Sequence, residues 1–346
     1  MNAPSCSASA VPNLAAPHAT LPAHLERVPC NLCGAQDEEL LYPGTIDLTS
    51  STFDPQAVFA CTSSLYGRYG PVVRCRRCGL VYLNPRLAAA AVQAAYVEVA
   101  DTVYLDERIG RVHTFTRALD ELERYAPRGR LLDVGCHIGV FLEVARARGW
   151  DAVGVEPSRW ACAYARARGL PVTCSTLREA AFPSAAFDVV TLWDVVEHFP
   201  DPAAELREVY RVLRPGGLIA ITTMNIESRV ARLLGPRWPW LMQMHLYYFS
   251  VRTLTALLAR CGFETIAVRP HRRIVRFAYL LSRLERWLPY PARLAQRVAR
   301  RLGIADWLVP IDLGDIFTLY ARRCEATPAA VNGRLAGSSE SRTVHG

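Results

Sequence analysis

At 346 residues, 51% of them apolar, the chain can hold one large domain and a small one, which excludes a wholly disordered protein. No run reaches the ~18 uncharged apolar residues of a membrane span, and the N-terminus lacks the basic start and apolar core of a secretory signal. The net charge of +8 rests on 40 arginines and no lysine; it admits nucleic acid, a membrane surface or an anionic substrate as partner and selects none.

Residues 1–27, rich in Ala, Pro and Ser, read as a disordered lead-in, and residues 325–346 as a similar tail. The next segment carries two matched units, Cys30-Asn-Leu-Cys33-Gly and Cys75-Arg-Arg-Cys78-Gly. Each pair presents two thiolates to one ion, and the glycine relieves crowding at the turn. Four thiolates suit a closed tetrahedral zinc site that contributes folding energy, so Cys30, Cys33, Cys75 and Cys78 are the expected ligands of a structural zinc in a module over 28–86. The 41 residues between Cys33 and Cys75 exceed zinc-ribbon spacing and imply an insertion, in which Cys61 reads as a spare thiol. Cys136, Cys162, Cys174 and Cys261 sit in apolar segments as small core residues. An odd total of 11 cysteines suits a reducing cytoplasm better than secretion.

Residues 87–128 read as a helical connector or lid, with an apolar repeat through Val112, Phe115, Leu119 and Leu122. Strand-like runs then recur at Arg130–Gly135, Ala152–Glu156, Pro171–Cys174, Phe187–Trp193 and Leu218–Thr223. Helical patterns lie between them, around Val140–Arg148, Arg159–Arg168 and Pro202–Leu213. This alternation predicts an α/β fold with a doubly wound parallel sheet over 129–324. In LLDVGCHIGVFL (131–142) a buried strand turns sharply into a helix, with Gly135 and Gly139 where a ligand approaches the backbone. The next strand ends in Glu156, 23 residues after Asp133, where an acid can accept hydrogen bonds from both hydroxyls of a nucleotide ribose. The spacing D-x-G-x-x-x-G departs from the dinucleotide fingerprint, whose third glycine would fall at Val140, and this disfavours a dehydrogenase.

These residues resemble the binding motifs of class I S-adenosylmethionine-dependent methyltransferases. LWDVVEHFPDP (192–202) and LRPGGLIAITTMN (213–225) strengthen the resemblance, and GFETIAVRP (262–270) with GDIFTLYARR (314–323) resembles the hairpin closing that family's sheet. It implies a seven-stranded Rossmann-like sheet with a helical insertion before the last strand. GLVYLNPR (79–86) resembles the exit from the four-cysteine module that precedes the catalytic fold in a group of bacterial methyltransferases. In this reading Asp133, Gly135, Gly139 and Glu156 hold S-adenosylmethionine, Thr176 and Leu177 lie against the adenine, and Trp193 and Asp194 reach the methionine end. His137 replaces the usual middle glycine, which a side chain directed away from the cofactor tolerates.

Methyl transfer to an acceptor of high pKa needs a base near pH 7, which suits histidine. His198 and His245 fit by position, and Glu197 either takes part in chemistry or orients His198. Asp194, Glu197 and His198 also form a candidate divalent-metal set. In the HLYYFS element, 245–250, the aromatics either wall an acceptor pocket, with Tyr248 as a polar tip, or staple a loop to the sheet. Residues 271–310 form an Arg-rich apolar insertion whose amphipathic helices either cap the fold or lie on an anionic membrane. GPRWPW (235–240) adds exposed aromatics nearby. The expected activity is methyl transfer to a small or carrier-linked metabolite, such as a sugar, glycolipid, polyketide or quinone-like acceptor, in the cytoplasm or peripheral to the inner membrane face. An RNA methyltransferase using the zinc module as a platform is the alternative, although the knuckles lack interleaved aromatics for base stacking. A non-catalytic cofactor-binding protein is the third reading.

Overall fold

The computed structural model describes residues 21–48, 66–285 and 288–325. Most of the lead-in and tail, Cys61, and Arg286–Trp287 of the insertion lie outside the described residues. The N-terminal module contributes β1 (Leu25–Glu26), β2 (Glu38–Tyr42), β3 (Val72–Cys75), β4 (Val81–Leu83) and β5 (Arg86–Leu87). Leu25 and Glu26, at the end of the expected lead-in, pair with Leu87 and Arg86. Three helices follow: α1 (Ala89–Val97), α2 (Val103–Asp106) and α3 (Arg108–Leu122).

The alternating portion runs β6 (Arg130–Val134), α4 (Val140–Ala147), β7 (Asp151–Glu156), α5 (Arg159–Ala167), β8 (Val172–Cys174), β9 (Phe187–Trp193), α6 (Pro202–Val212) and β10 (Leu213–Met224). Next come α7 (Arg229–Leu234), β11 (Tyr247–Tyr248), α8 (Val251–Arg260) and β12 (Phe263–Pro270). The chain closes with β13 (Arg273–Arg276), α9 (Phe277–Leu284), α10 (Pro289–Arg301), β14 (Leu308–Ile311) and β15 (Ile316–Arg323).

The main sheet has seven strands in the order β12-β15-β10-β9-β6-β7-β8. β8, β7, β6, β9 and β10 pair in parallel, and β15 runs antiparallel to both β10 and β12. Strands covered on both faces need apolar residues at every step rather than at alternate ones. Along β6, Leu131 packs on the side of α3, α4 and α5, whereas Leu132 packs on the side of α6 and α8. Helix starts follow local chemistry: the Ser158 and Asp201 side chains accept from the Ala161 and Ala204 N–H groups, and Ser250 with Thr253 closes a capping box before α8.

Two arrangements were not legible from periodicity. First, β11 adds to the module's sheet, in the order β11-β4-β3-β2, pairing Tyr247 with Tyr82 and Tyr248 with Val81. Cys30, Val72, Tyr82, Tyr247 and Leu254 consequently share one apolar core, so the four-cysteine module and the main sheet are one packed body. Second, the 271–310 insertion is not helical throughout. Its ends form a β13–β14 hairpin that carries α9 and α10. The hairpin seats against α3, where the Ile274 N–H donates to the Thr114 hydroxyl at 2.8 Å. A side chain at Gly110 would come within 2.5 Å of the Ile274 carbonyl, so this contact requires glycine.

Candidate active site

The carboxyl ends of β6, β7 and β9 open onto a cleft of about 740 Å³, of the size small-molecule sites take. One part is built by the β6–α4 loop. Gly135 adopts φ +69°, where a Cβ would also meet Val195 at 2.7 Å, so both backbone and space require glycine. Glu156 closes the loop, accepting the His137 N–H at 2.9 Å and the Ser158 N–H at 2.8 Å. Burial raises its carboxyl to about 7, against these two N–H donors. Thr176 and Leu177 line the cleft after β8, and the Glu179 carboxylate accepts the Thr176 N–H at 3.1 Å.

Asp133 and Gly139 are not on the cleft wall. Asp133 is buried beneath the loop, accepts the Thr191 hydroxyl at 2.7 Å, and has its carboxyl raised to about 8 by burial. Gly139, at φ +81°, starts α4 where a Cβ would collide with Leu170 at 2.3 Å. Its role in the structure is helix packing. His137 departs from the expected outward direction: it lines the cleft, half-buried against Tyr104 with ring centroids 3.8 Å apart. Its φ of +50° keeps the glycine-like backbone, which histidine enters more readily than most residues. Burial lowers its imidazole to about 3, leaving it neutral.

The other part of the cleft gathers residues from three distant segments. The His198 Nδ1 lies 2.9 Å from the Met244 carbonyl and 2.8 Å from the Tyr96 hydroxyl. A carbonyl only accepts, so Nδ1 carries the proton and Nε2 holds the free lone pair. The His245 Nδ1 lies 2.7 Å from the Trp240 carbonyl, which fixes the same tautomer. The two rings are 4.9 Å apart. Burial lowers both imidazoles; His245 goes to about 3, helped by His198, while the Met244 carbonyl and the Asp194 charge hold His198 up. Glu197 is fully buried, accepts the Thr223 hydroxyl at 2.9 Å, and is raised to about 8 by burial and then by Asp194.

The metal-competent set differs from the expected Asp194, Glu197 and His198. Ligand atoms of Glu197, His198 and His245 lie within 4.8 Å of one another, an arrangement able to hold a divalent ion. Asp194 is drawn away by Arg273, whose Nη2 lies 2.6 Å from its Oδ2. Burial raises the Asp194 carboxyl, but Arg273, His271 and Arg111 together hold it below the usual range. Arg273 comes from the insertion hairpin and also stacks on Trp240 at 4.8 Å. Neither Arg273 nor Tyr96 was expected here; an arginine inside the strand-like run RRIVRF was the available signal for the first.

The staple reading of HLYYFS holds for its tyrosines. Tyr247 and Tyr248 are buried off the cleft, and their hydroxyls donate to the Pro200 and Met242 carbonyls. GPRWPW is not exposed as expected: Trp238 is fully buried, and both its indole N–H and that of Trp240 donate to Asp315. Around the cleft, Trp193 Nε1, both His137 ring nitrogens, Asp194 Oδ1 and Glu197 Oε1 have no hydrogen-bond partner among the described residues. Unmet buried polar groups cost ~1–3 kcal/mol each, so their gathering in one cleft marks a place where a polar ligand belongs.

In the N-terminal module, Cys30 Sγ lies 3.4 Å from Cys78 Sγ, and Cys33 Sγ lies 3.5 Å from Cys75 Sγ. All four sulfurs fall within 4.8 Å of one another. Sulfurs around a tetrahedral ion with ~2.3 Å bonds are about 3.8 Å apart, so the donor set fits zinc. Gly34 and Gly79 follow the knuckles at φ +75° and +78°, each donating its N–H to the first cysteine's carbonyl.

Residues 110–268 match the family described as a methyltransferase domain. The ubiquinone biosynthesis O-methyltransferase of Hahella chejuensis is 37% identical over 106 residues, covering 29% of this chain and 44% of that protein. The protein of the same name from Rhizobium rhizogenes is 33% identical over 133 residues, covering 37% of this chain and 51% of that one. The chain thus spans about half, or less, of the curated relatives it matches. A solved S-adenosylmethionine-dependent methyltransferase from Archaeoglobus fulgidus is 19% identical, covering 64% of this chain and all of that one, with a TM-score of 0.45. The matched segment, just under half of the chain, is a class I S-adenosylmethionine-dependent methyltransferase domain, and it carries the five parallel strands β6–β10 and most of β12 of the seven-stranded sheet.

Proposed function

We propose that the chain transfers a methyl group from S-adenosylmethionine to the oxygen of a phenolic, quinone-like acceptor. The observation that carries this reading is one continuous cleft lined both by the Gly135–Glu156 loop and by two imidazoles with free Nε2 lone pairs. When bound, the cofactor supplies an electrophilic sulfonium methyl, and the protein supplies alignment and a base. Glu156 accepts the ribose hydroxyls, Trp193 and His137 offer unmet polar atoms toward the cofactor, and His198 takes the hydroxyl proton on Nε2. A phenol of pKa near 10 is mostly protonated at neutral pH, so a fixed neutral imidazole beside it lowers the barrier. Met224, Met242, Met244, Phe199 and Trp240 give the acceptor part an apolar, adaptable wall suited to an aromatic ring. The relatives named for ubiquinone biosynthesis point the same way. The four cysteines, in this reading, hold a structural zinc.

Incubation with S-adenosylmethionine and a catechol-type isoprenoid precursor should yield a monomethyl ether, read as the mass gain of one methyl group. No product from any phenolic acceptor, with cofactor binding intact, would refute the acceptor class. Glu156→Ala should weaken cofactor binding by about 10- to 100-fold, because hydrogen bonds to a charged acceptor contribute ~1.5–3 kcal/mol. Isothermal calorimetry checks this, and an unchanged Kd would remove Glu156 from the cofactor site. His245→Ala should lower turnover about tenfold while sparing cofactor Kd, since its loss leaves a void beside His198; a wild-type rate would free it of any role.

A further inference from the structure

The helix α10 is turned inside out. Its inward residues are small, with Ala292 and Ala299 buried, while Leu294 is 63% and Leu302 66% exposed. Tyr290, Leu294, Val298 and Leu302 recur every fourth residue, so they form one continuous exposed stripe. Arg293, Arg297, Arg300 and Arg301 lie exposed on the adjoining sector. Trp307, also 66% exposed, sits on the chain leading from α10 to β14. A large apolar stripe facing outward calls for a partner, because a soluble surface helix directs such residues to the core.

We propose that this face docks on an anionic lipid bilayer, with the apolar stripe at the acyl boundary and the arginines among the headgroups. Charge selects this occupant. Residues 271–310 hold nine arginines against two acids, so a second copy of the same face would meet like charge, whereas anionic headgroups neutralise it. No helix among the described residues is long and apolar enough to cross a membrane, and α10, with 13 residues, fits a helix lying in the interface plane. The same insertion hairpin brings Arg273 to Asp194 in the cleft wall, which ties the docking element to the acceptor site. The docking itself does not depend on which acceptor is methylated.

Cosedimentation of the full chain with phosphatidylcholine vesicles, with and without phosphatidylglycerol, tests this. Binding should be about tenfold or more stronger to the anionic vesicles and should fall with added salt. L294S/L302S should reduce it about tenfold or more through the apolar stripe, and R297E/R301E comparably through charge, with unaltered thermal melting. Equal binding to both vesicle types, no binding to either, or full binding by both variants would overturn the proposal. Sedimentation equilibrium showing a dimer that L294S/L302S converts to monomer would assign the face to a second copy and overturn it equally.

Discussion

His198→Ala is expected to lower kcat by about 10²- to 10⁴-fold, the usual contribution of a positioned general base, while leaving the Kd for S-adenosylmethionine unchanged within about twofold. The expectation rests on the tautomer. The Met244 carbonyl fixes the proton on Nδ1, so the lone pair sits on Nε2 without any rearrangement at the moment of transfer. Burial lowers the His198 imidazole from its ordinary value near 6.5, so the residue remains an unprotonated base through neutral pH. Activity should accordingly fall on the acid side only below that ordinary value, and this acid limb should vanish in the variant. A pH profile of kcat/KM with single-turnover rates checks both; a wild-type profile in His198→Ala would exclude it as the base. His245, at about 3, is a weaker base and better suited to shaping the pocket.

Removal of the zinc expected at the four cysteines should have the larger structural effect. Cys75→Ser should lower Tm by about 10 °C or more, because a structural zinc site contributes folding energy outright. It should also abolish turnover, because the module is welded to the catalytic machinery. The first knuckle's Asn31 donates to Asp201 and accepts the Ala203 N–H at the start of α6. The second knuckle's Cys78 carbonyl accepts from Arg252 on α8. Strand β11, directly after His245, completes the module's sheet. Loosening this sheet therefore displaces His245 and, through the Met244 carbonyl, His198. Metal analysis by mass spectrometry with differential scanning calorimetry checks the prediction; an intact Tm and rate in Cys75→Ser would show the module to be dispensable.

Local signals were legible in the sequence wherever one segment determined its own structure. The buried strands of the main sheet, the helices between them and the knuckle glycines all follow from short-range pattern, and their bounds agree with the reading to within one residue at most ends, apart from β10, which starts five residues earlier, at Leu213. What escaped was long-range pairing. Nothing in HLYYFS announces that Tyr247 and Tyr248 extend a sheet formed more than 160 residues earlier, since a two-residue strand has no periodicity to read. The Asp194–Arg273 pair spans 79 residues and depends on the hairpin's docking against α3. Trp238 reads as a surface aromatic because its proline-rich surroundings suggest a loop, yet Asp315, 77 residues away, draws its indole into the core. His137 shows the converse: its neighbours fix a glycine-like backbone, but only the packing of Tyr104 determines that its ring lies in the cleft.

Methyl transfer to a lipid-like phenolic acceptor, as proposed, leaves a labelled product that can be traced by fraction. Its most direct test is to mix the purified chain and methyl-labelled S-adenosylmethionine with extract of a strain lacking the protein, then separate lipid, glycan, small-molecule and RNA fractions. Label is expected in the lipid fraction, as an alkali-stable methyl ether, and is lost with His198→Ala. Label in RNA, or no label in any fraction while the cofactor still binds, would contradict it.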